Sequence, residues 1–264
     1  MALARDIDIG IGTGRFESQA ACSAVLRRAF EVGYRFVDTA QHYAMEGAVR
    51  DALAATAVER DALFVSYNVH SESLEYDAVH DVVEAALSKL GVEYLDAASV
   101  HWPAHTYDPE ETLLALAELR AAGKIRAIGM SNATVEVLAE ATEHAEIAFA
   151  AVEFHPYHQP ADLLAYTRAN DITLIAHTPL ARGRAVQDDT VLRVAERQGV
   201  TPGQLCLAWL RSKGIVPVPG SSGGHLRENF QATRLSLGDR ASAELETLDE
   251  GRRLVDYDFA PWNR

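Results

Sequence analysis

Phe36-Val-Asp-Thr-Ala-Gln-His-Tyr43 reads as the apolar end of a strand breaking into a polar loop. It presents a carboxylate, Asp38, and a phenol, Tyr43, five residues apart. An Asp at a strand end and a Tyr one loop later can share a pocket. A phenol donates protons near neutral pH only if its surroundings bring its pKa down from roughly 10. A buried ammonium beside it is the usual means.

The same grammar of short apolar run, polar loop and helical period recurs along the chain. Strands are expected at Ile7–Gly12, Phe36–Asp38 (with a start as early as Tyr34), Leu63–Val69, Leu95–His101, Ile125–Ser131, Ala148–Phe154, Thr173–Thr178 and Ile215–Pro219. Helices are expected at Ala20–Val32, Met45–Ala55, Tyr76–Leu90, Pro109–Ala122, Thr134–Glu143, Pro160–Ala169, Asp188–Arg197 and Pro202–Ser212, with a further one at Arg240–Asp249. Asp108 is an N-cap candidate, and Gly33, Gly91 and Gly123 follow helix ends. Eight alternations predict a closed (β/α)8 barrel, the TIM-barrel architecture, over a doubly wound sheet. No Pro/Gly/Ser-rich linker divides the chain, so residues 1–264 are read as one domain. The tail from Leu254 to Arg264 is irregular but rich in aromatic residues, which predicts packing against the barrel.

The 264 residues are 48% hydrophobic, enough for a sizeable core. No apolar run approaches the roughly 18 residues of a membrane span. The first residues lack the apolar stretch of a signal peptide, so a cytoplasmic protein is expected. Cys22 and Cys206 lie far apart in helix-like segments and read as reduced core residues. The net charge of −14 argues against nucleic acid and anionic membranes as partners. Arginine is plentiful, but the only lysines are Lys89, Lys124 and Lys213. Such an acidic, lysine-poor surface resembles that of halophilic proteins; a GC-rich genome favouring Arg codons is the alternative.

In a (β/α)8 barrel the working residues sit where strands run into the following loops. That rule selects Asp38, Tyr43, Asn68, His101, Trp102, Ser131, Asn132, Glu153, His155 and His177. The three lysines fall at the opposite face. Gly10-Ile-Gly-Thr-Gly14 lacks the third glycine of a dinucleotide fingerprint and reads as tight strand-end packing. Asp38, His101, Glu153, His155 and His177 would be the residues of a metal site, but structural hydrogen bonding is the simpler role for Glu153 and His155. No metal is expected. His70, His105 and His158 are expected in loops.

Nearly end to end, the chain resembles the aldo-keto reductases. The resemblance rests on Gly10-Ile-Gly-Thr13, Phe36 to Tyr43, Ser99-Val-His-Trp-Pro103 and Gly123-Lys-Ile-Arg-Ala-Ile-Gly-Met-Ser-Asn132. Val152-Glu-Phe-His-Pro156, Pro179-Leu-Ala-Arg-Gly183 and Arg227-Glu-Asn229 extend it. It implies reduction of small aldehydes or ketones with NADP or NAD. Tyr43 would be the proton donor, Asp38 its electrostatic neighbour, and His101 would orient the substrate carbonyl. Trp102 would line the substrate pocket. Thr13, Ser131, Asn132, His177, Pro179, Leu180, Arg182, Ser221, Arg227 and Asn229 would line the cofactor site, with Ser131 and Asn132 on the carboxamide.

Five departures stand out. The family's catalytic lysine falls at Asn68, which cannot stabilise a phenolate by charge. Its glutamine beside the nicotinamide falls at Ala151, and its stacking aromatic residue falls at His177. The base expected for the 2′-phosphate falls at Gly220, and His225 stands for a frequent arginine while Arg227 remains nearby, which leans towards NAD or dual use over strict NADP. Three readings follow: an oxidoreductase slowed by Asn68, a non-catalytic cofactor-binding descendant acting as sensor or partner, and a metal-dependent hydrolase or lyase.

Overall fold

The computed structural model describes residues 7–220 and 223–264. Eight parallel strands follow one another around a barrel in chain order. They are β1 (Gly10–Gly12), β2 (Phe36–Ala40), β3 (Phe64–Val69), β4 (Leu95–Val100), β5 (Ile125–Ser131), β6 (Phe149–Glu153), β7 (Thr173–His177) and β8 (Val216–Val218). A parallel bridge from Gly12 to Gly220 brings the last strand's end to the first. The strands at this seam are the shortest, three residues each.

Around them lie α1 (Gln19–Val32), α2 (Glu46–Ala55), α3 (Tyr76–Leu90), α4 (Pro109–Ala121), α5 (Val135–His144), α6 (Ala161–Ala169), α7 (Asp189–Gln198) and α8 (Pro202–Ser212), with α9 (Leu226–Gln231) and α10 (Asp239–Glu246) after the last strand. Local chemistry sets their starts. The Asp108 carboxylate accepts the Glu111 amide at 3.0 Å, with Pro109 in the first turn. Thr201 and Gln204 satisfy each other's backbone amides in a capping box.

The barrel interior holds Phe36, Ala97, Phe149, Ile175 and Val216, a packed core rather than a pore. Large rings need small neighbours. A Cβ at Gly129 would stand 2.1 Å from the Phe149 ring, so Phe149 occupies the space that glycine leaves. A second, larger apolar layer joins the strands to the helices. Cys22 and Cys206 are buried there as free thiols.

The expected elements are present with shifted ends. The first strand begins at Gly10, not Ile7, and the second at Phe36, not Tyr34. Helix α9 was not expected; six residues between two glycine- and polar-rich stretches show little period. The tail packs as expected. The rings of Tyr257, Phe259 and Trp262 lie 5.4, 5.5 and 5.6 Å from that of Trp102. No helix among the described residues is long and apolar enough to cross a membrane.

Candidate active site

Parallel register carries the strand-end residues to one rim. Ala40 pairs with Asn68, Asn68 with Ser99, and Ser131 with Ala151. Above that rim opens a cavity of about 740 Å³ lined by Asp38, Tyr43, Asn68, His101, Trp102, Ser131, Asn132 and His177. Pro179, Leu180, Arg182 and Asn229 line it too. Two expected residues lie elsewhere. Thr13 is buried, and its hydroxyl bonds Thr39 Oγ1 at 2.8 Å instead of facing the cavity. Arg227 is exposed on α9 and does not line the cavity. Ser221 lies outside the described residues.

Asn68 is the hub. Its Nδ2 donates to Asp38 Oδ1 at 3.0 Å and to the Thr39 carbonyl at 2.8 Å. Its Oδ1 accepts from Ser99 Oγ at 2.6 Å and Ser131 Oγ at 3.1 Å. Two donors and two acceptor sites are the whole capacity of a carboxamide. Asn68 is therefore saturated without touching Tyr43, whose hydroxyl has no hydrogen-bond partner among the described residues.

The neutral hub offers no charge to offset the burial of its neighbours. Burial pushes the Asp38 carboxyl up to about 7, with the Asn68 hydrogen bond opposing. Burial also pushes the Tyr43 phenol well above its ordinary value, helped by Asp38 and Tyr257 and opposed by Arg15. His101 is driven down to about 3 by burial and by His42, His177 and His70. No lysine enters the cavity. Lys124 pairs with Glu84 at 3.2 Å, Lys213 with Glu246, and Lys89 lies 4.0 Å from Glu46.

Several lining residues escaped the sequence reading, Gly14, Arg15 and His42 among them. Gly14 makes room for Tyr43: a Cβ there would stand 2.7 Å from the Tyr43 Cζ. Arg15 and His42 line the cavity. His42 lay in plain view between Asp38 and Tyr43, but loop position alone does not reveal a ring contact. Its ring centroid is 4.5 Å from Tyr43, 4.9 Å from His101 and 5.4 Å from His70.

Glu153 and His155 have the structural role expected. His155 Nε2 lies 2.9 Å from Glu153 Oε1. The carboxylate also accepts the Leu254 and Val255 amides at 2.9 and 3.0 Å, which ties the tail to the barrel. His70 and His105 lie in loops as expected; His158 does too, but buried, in a bridge with His155. No group of three or more His, Cys, Asp or Glu among the described residues is arranged to hold a metal ion.

The lining chemistry fits a nicotinamide dinucleotide. The cavity has a planar imidazole, His177, fixed by Asn132 Oδ1 at 2.8 Å from its Nε2. The cations Arg15 and Arg182 also line it. Asn132 Nδ2 is committed to the His101 carbonyl at 2.9 Å, and Ser131 Oγ to Asn68, so both keep only part of their capacity for a carboxamide. Ala151 adds no polar group there.

The Aldo/keto reductase family's sequence model matches residues 8–250. The methylglyoxal reductase DkgB of Escherichia coli is 32% identical over 252 residues, covering 93% of this chain and 94% of that protein. The glyoxal reductase of Bacillus subtilis is 31% identical and covers 93% of this chain and 90% of that protein. The crystal structure of a putative 2,5-diketo-D-gluconic acid reductase B superposes with a TM-score of 0.92 at 30% identity, covering 96% of this chain and 92% of the other. This chain belongs to the aldo/keto reductase family of oxidoreductases.

Proposed function

We propose that the protein is a slow reductase of small dicarbonyl aldehydes of the glyoxal and methylglyoxal kind, with Tyr43 as proton donor and His101 orienting the carbonyl. The observation that carries this reading is the convergence of Asp38, Tyr43 and His101 on one cavity around a saturated, uncharged Asn68. The names of two relatives support the substrate class. A reduced nicotinamide, when bound, supplies the hydride. The protein's own residues orient the carbonyl, exclude water and deliver the proton.

His177 would carry the nicotinamide ring, with Ser131, Asn132, Pro179, Leu180, Arg182 and Asn229 along the cofactor. NAD is favoured over NADP. Gly220 offers no charge, and His225 Nδ1 is already 3.0 Å from the Glu228 carboxylate, which would repel a 2′-phosphate. The chain is read as one domain, residues 1–264, in a cytoplasmic and salt-adapted protein; its buried free thiols and charge of −14 support that setting. Asn68 also supports a second reading, a cofactor-binding protein without turnover.

Fluorescence titration with NADH and NADPH, followed by a carbonyl panel including glyoxal and methylglyoxal, tests the proposal. Binding with slow turnover is expected. Binding without turnover gives the second reading its place. No binding of either cofactor at millimolar concentration overturns both.

A further inference from the structure

His42, His101 and His177 line the cavity from separate elements, and His70 packs on His42. His42 lies in the short turn Gln41–Tyr43 after β2, His70 follows β3, His101 follows β4, and His177 ends β7. The turn and the loop after β3 are pinned together: the His70 amide donates to Gln41 Oε1 at 2.9 Å, and Gln41 Nε2 to Ser73 Oγ at 3.2 Å. That pinning brings His42, His70 and His101 into ring contact. His42 is exposed to solvent, whereas His101 is buried. His42 also packs edge-on against Tyr43, at 63° between ring planes.

The chemistry at Tyr43 leaves a need. When a phenol gives up its proton, the phenolate requires a nearby positive charge or a replacement proton. The neutral Asn68 amide, already saturated, provides neither. Arg15 bears on Tyr43 from the loop after β1, while Asp38 and Tyr257 oppose ionisation of the phenol. Of the groups in ring contact with Tyr43, His42 alone combines solvent access with a titratable nitrogen near neutral pH.

Resting on the reductase reading above, we propose that His42 replaces the missing ammonium, supplying Tyr43 with a proton from solvent at the moment Tyr43 protonates the substrate. In the balanced step a hydride adds to the carbonyl carbon and the C=O π pair moves to oxygen. That oxygen takes the Tyr43 proton, the His42 imidazolium returns one to Tyr43 through an intervening water because no direct hydrogen bond joins the two side chains, and neutral His42 takes a proton from solvent. His42 acts through Tyr43 and does not touch the substrate. Its proton affinity is set by burial and by His70; His101, Asp38, Tyr257, Arg15 and His177 complete the charged and titratable surroundings of the pair.

The step requires His42 to be protonated, and burial and His70 hold it below its ordinary 6.5. Activity should therefore rise as pH falls. Two measurements on wild type and His42→Gln test this. The first is kcat/KM for glyoxal from pH 5 to 9. His42→Gln should lose about tenfold or more near pH 5.5, converge with wild type near pH 8.5, and lose the pH dependence. The second is an NMR titration of the imidazoles in the cofactor-free protein. His42 should titrate, and its replacement should shift His101 upwards, because His42 depresses it. An active wild type whose pH profile survives in His42→Gln overturns the proposal alone, as does a His101 titration that the substitution leaves unmoved. A wild type without turnover at any pH with either cofactor overturns the reductase reading and this proposal with it.

Discussion

Asn68 Nδ2 donates to Asp38 Oδ1 at 3.0 Å, so an uncharged amide faces a carboxyl group that burial has already pushed up to about 7. A cation in that place would hold Asp38 ionised and draw the Tyr43 pKa down. The amide does neither fully.

The first consequence is a pH-dependent cost in stability. Asp38 is raised from 3.8 in the folded protein. The folded state therefore binds the proton that the unfolded chain releases above pH 4. Each unit of pH from about 4 to 7 then costs up to about 1.4 kcal/mol, and the loss levels off above 7. Asp38→Asn should be close to neutral at pH 4 and stabilising at pH 8. Urea melts at both pH values check this. Equal midpoint differences would mean that Asp38 is ionised at neutral pH.

Glu153 behaves in the opposite sense. Burial opposes its charge, but His155 and the Val255 and Leu254 amides hold it down to about 2. Its contribution is present above the ordinary 4.5 and lost as pH falls towards 2. Glu153→Ala should cost about 2–3 kcal/mol at pH 7, the scale of hydrogen bonds to a charged group. It should also free the tail, which limited proteolysis near Tyr257 would detect. A tail equally resistant in the variant would show that the Trp102 ring cluster holds it alone.

Ala151 bears on cofactor affinity. Ala151→Gln would add a carboxamide at the β6 rim beside Ser131, its partner in register. It should tighten NADH binding by about 0.5–1.5 kcal/mol, one hydrogen bond. Fluorescence titration reads this directly, and unchanged affinity would place the nicotinamide elsewhere.

Charge predicts a salt requirement. A net −14 repels itself at low ionic strength, and molar KCl screens it. The melting temperature should rise markedly between 0.05 and 2 M KCl, on the order-of-magnitude scale that screening allows. A flat response would attribute the shortage of lysine to codon usage.

The barrel was legible because each unit repeats one pattern, an apolar strand, a polar loop and a periodic helix. Pro109–Ala121 shows why helix bounds came close, since Asp108 and Pro109 announce the start chemically. Gly10–Gly12 was over-extended because apolar Ile7 and Ile9 mimic strand without pairing. The rim residues followed from the barrel rule, and Asn68 from its place in the third strand. What stayed hidden depends on distance across elements. Asn68 in contact with Ser99 and Ser131, Glu153 with the tail amides, and His42 with His101 are tertiary pairings that no spacing encodes.

The most direct measurement is carbonyl reduction by Asn68→Lys against wild type, at saturating NADH and pH 7, with cofactor binding confirmed for both. An ammonium at position 68 would meet Asp38, lower the Tyr43 pKa and stabilise its phenolate. The account predicts a gain of about 10²-fold or more in kcat, the scale of a general-acid contribution. A folded, cofactor-binding Asn68→Lys with no gain over a slow wild type, or a wild type that is already fast, would contradict it.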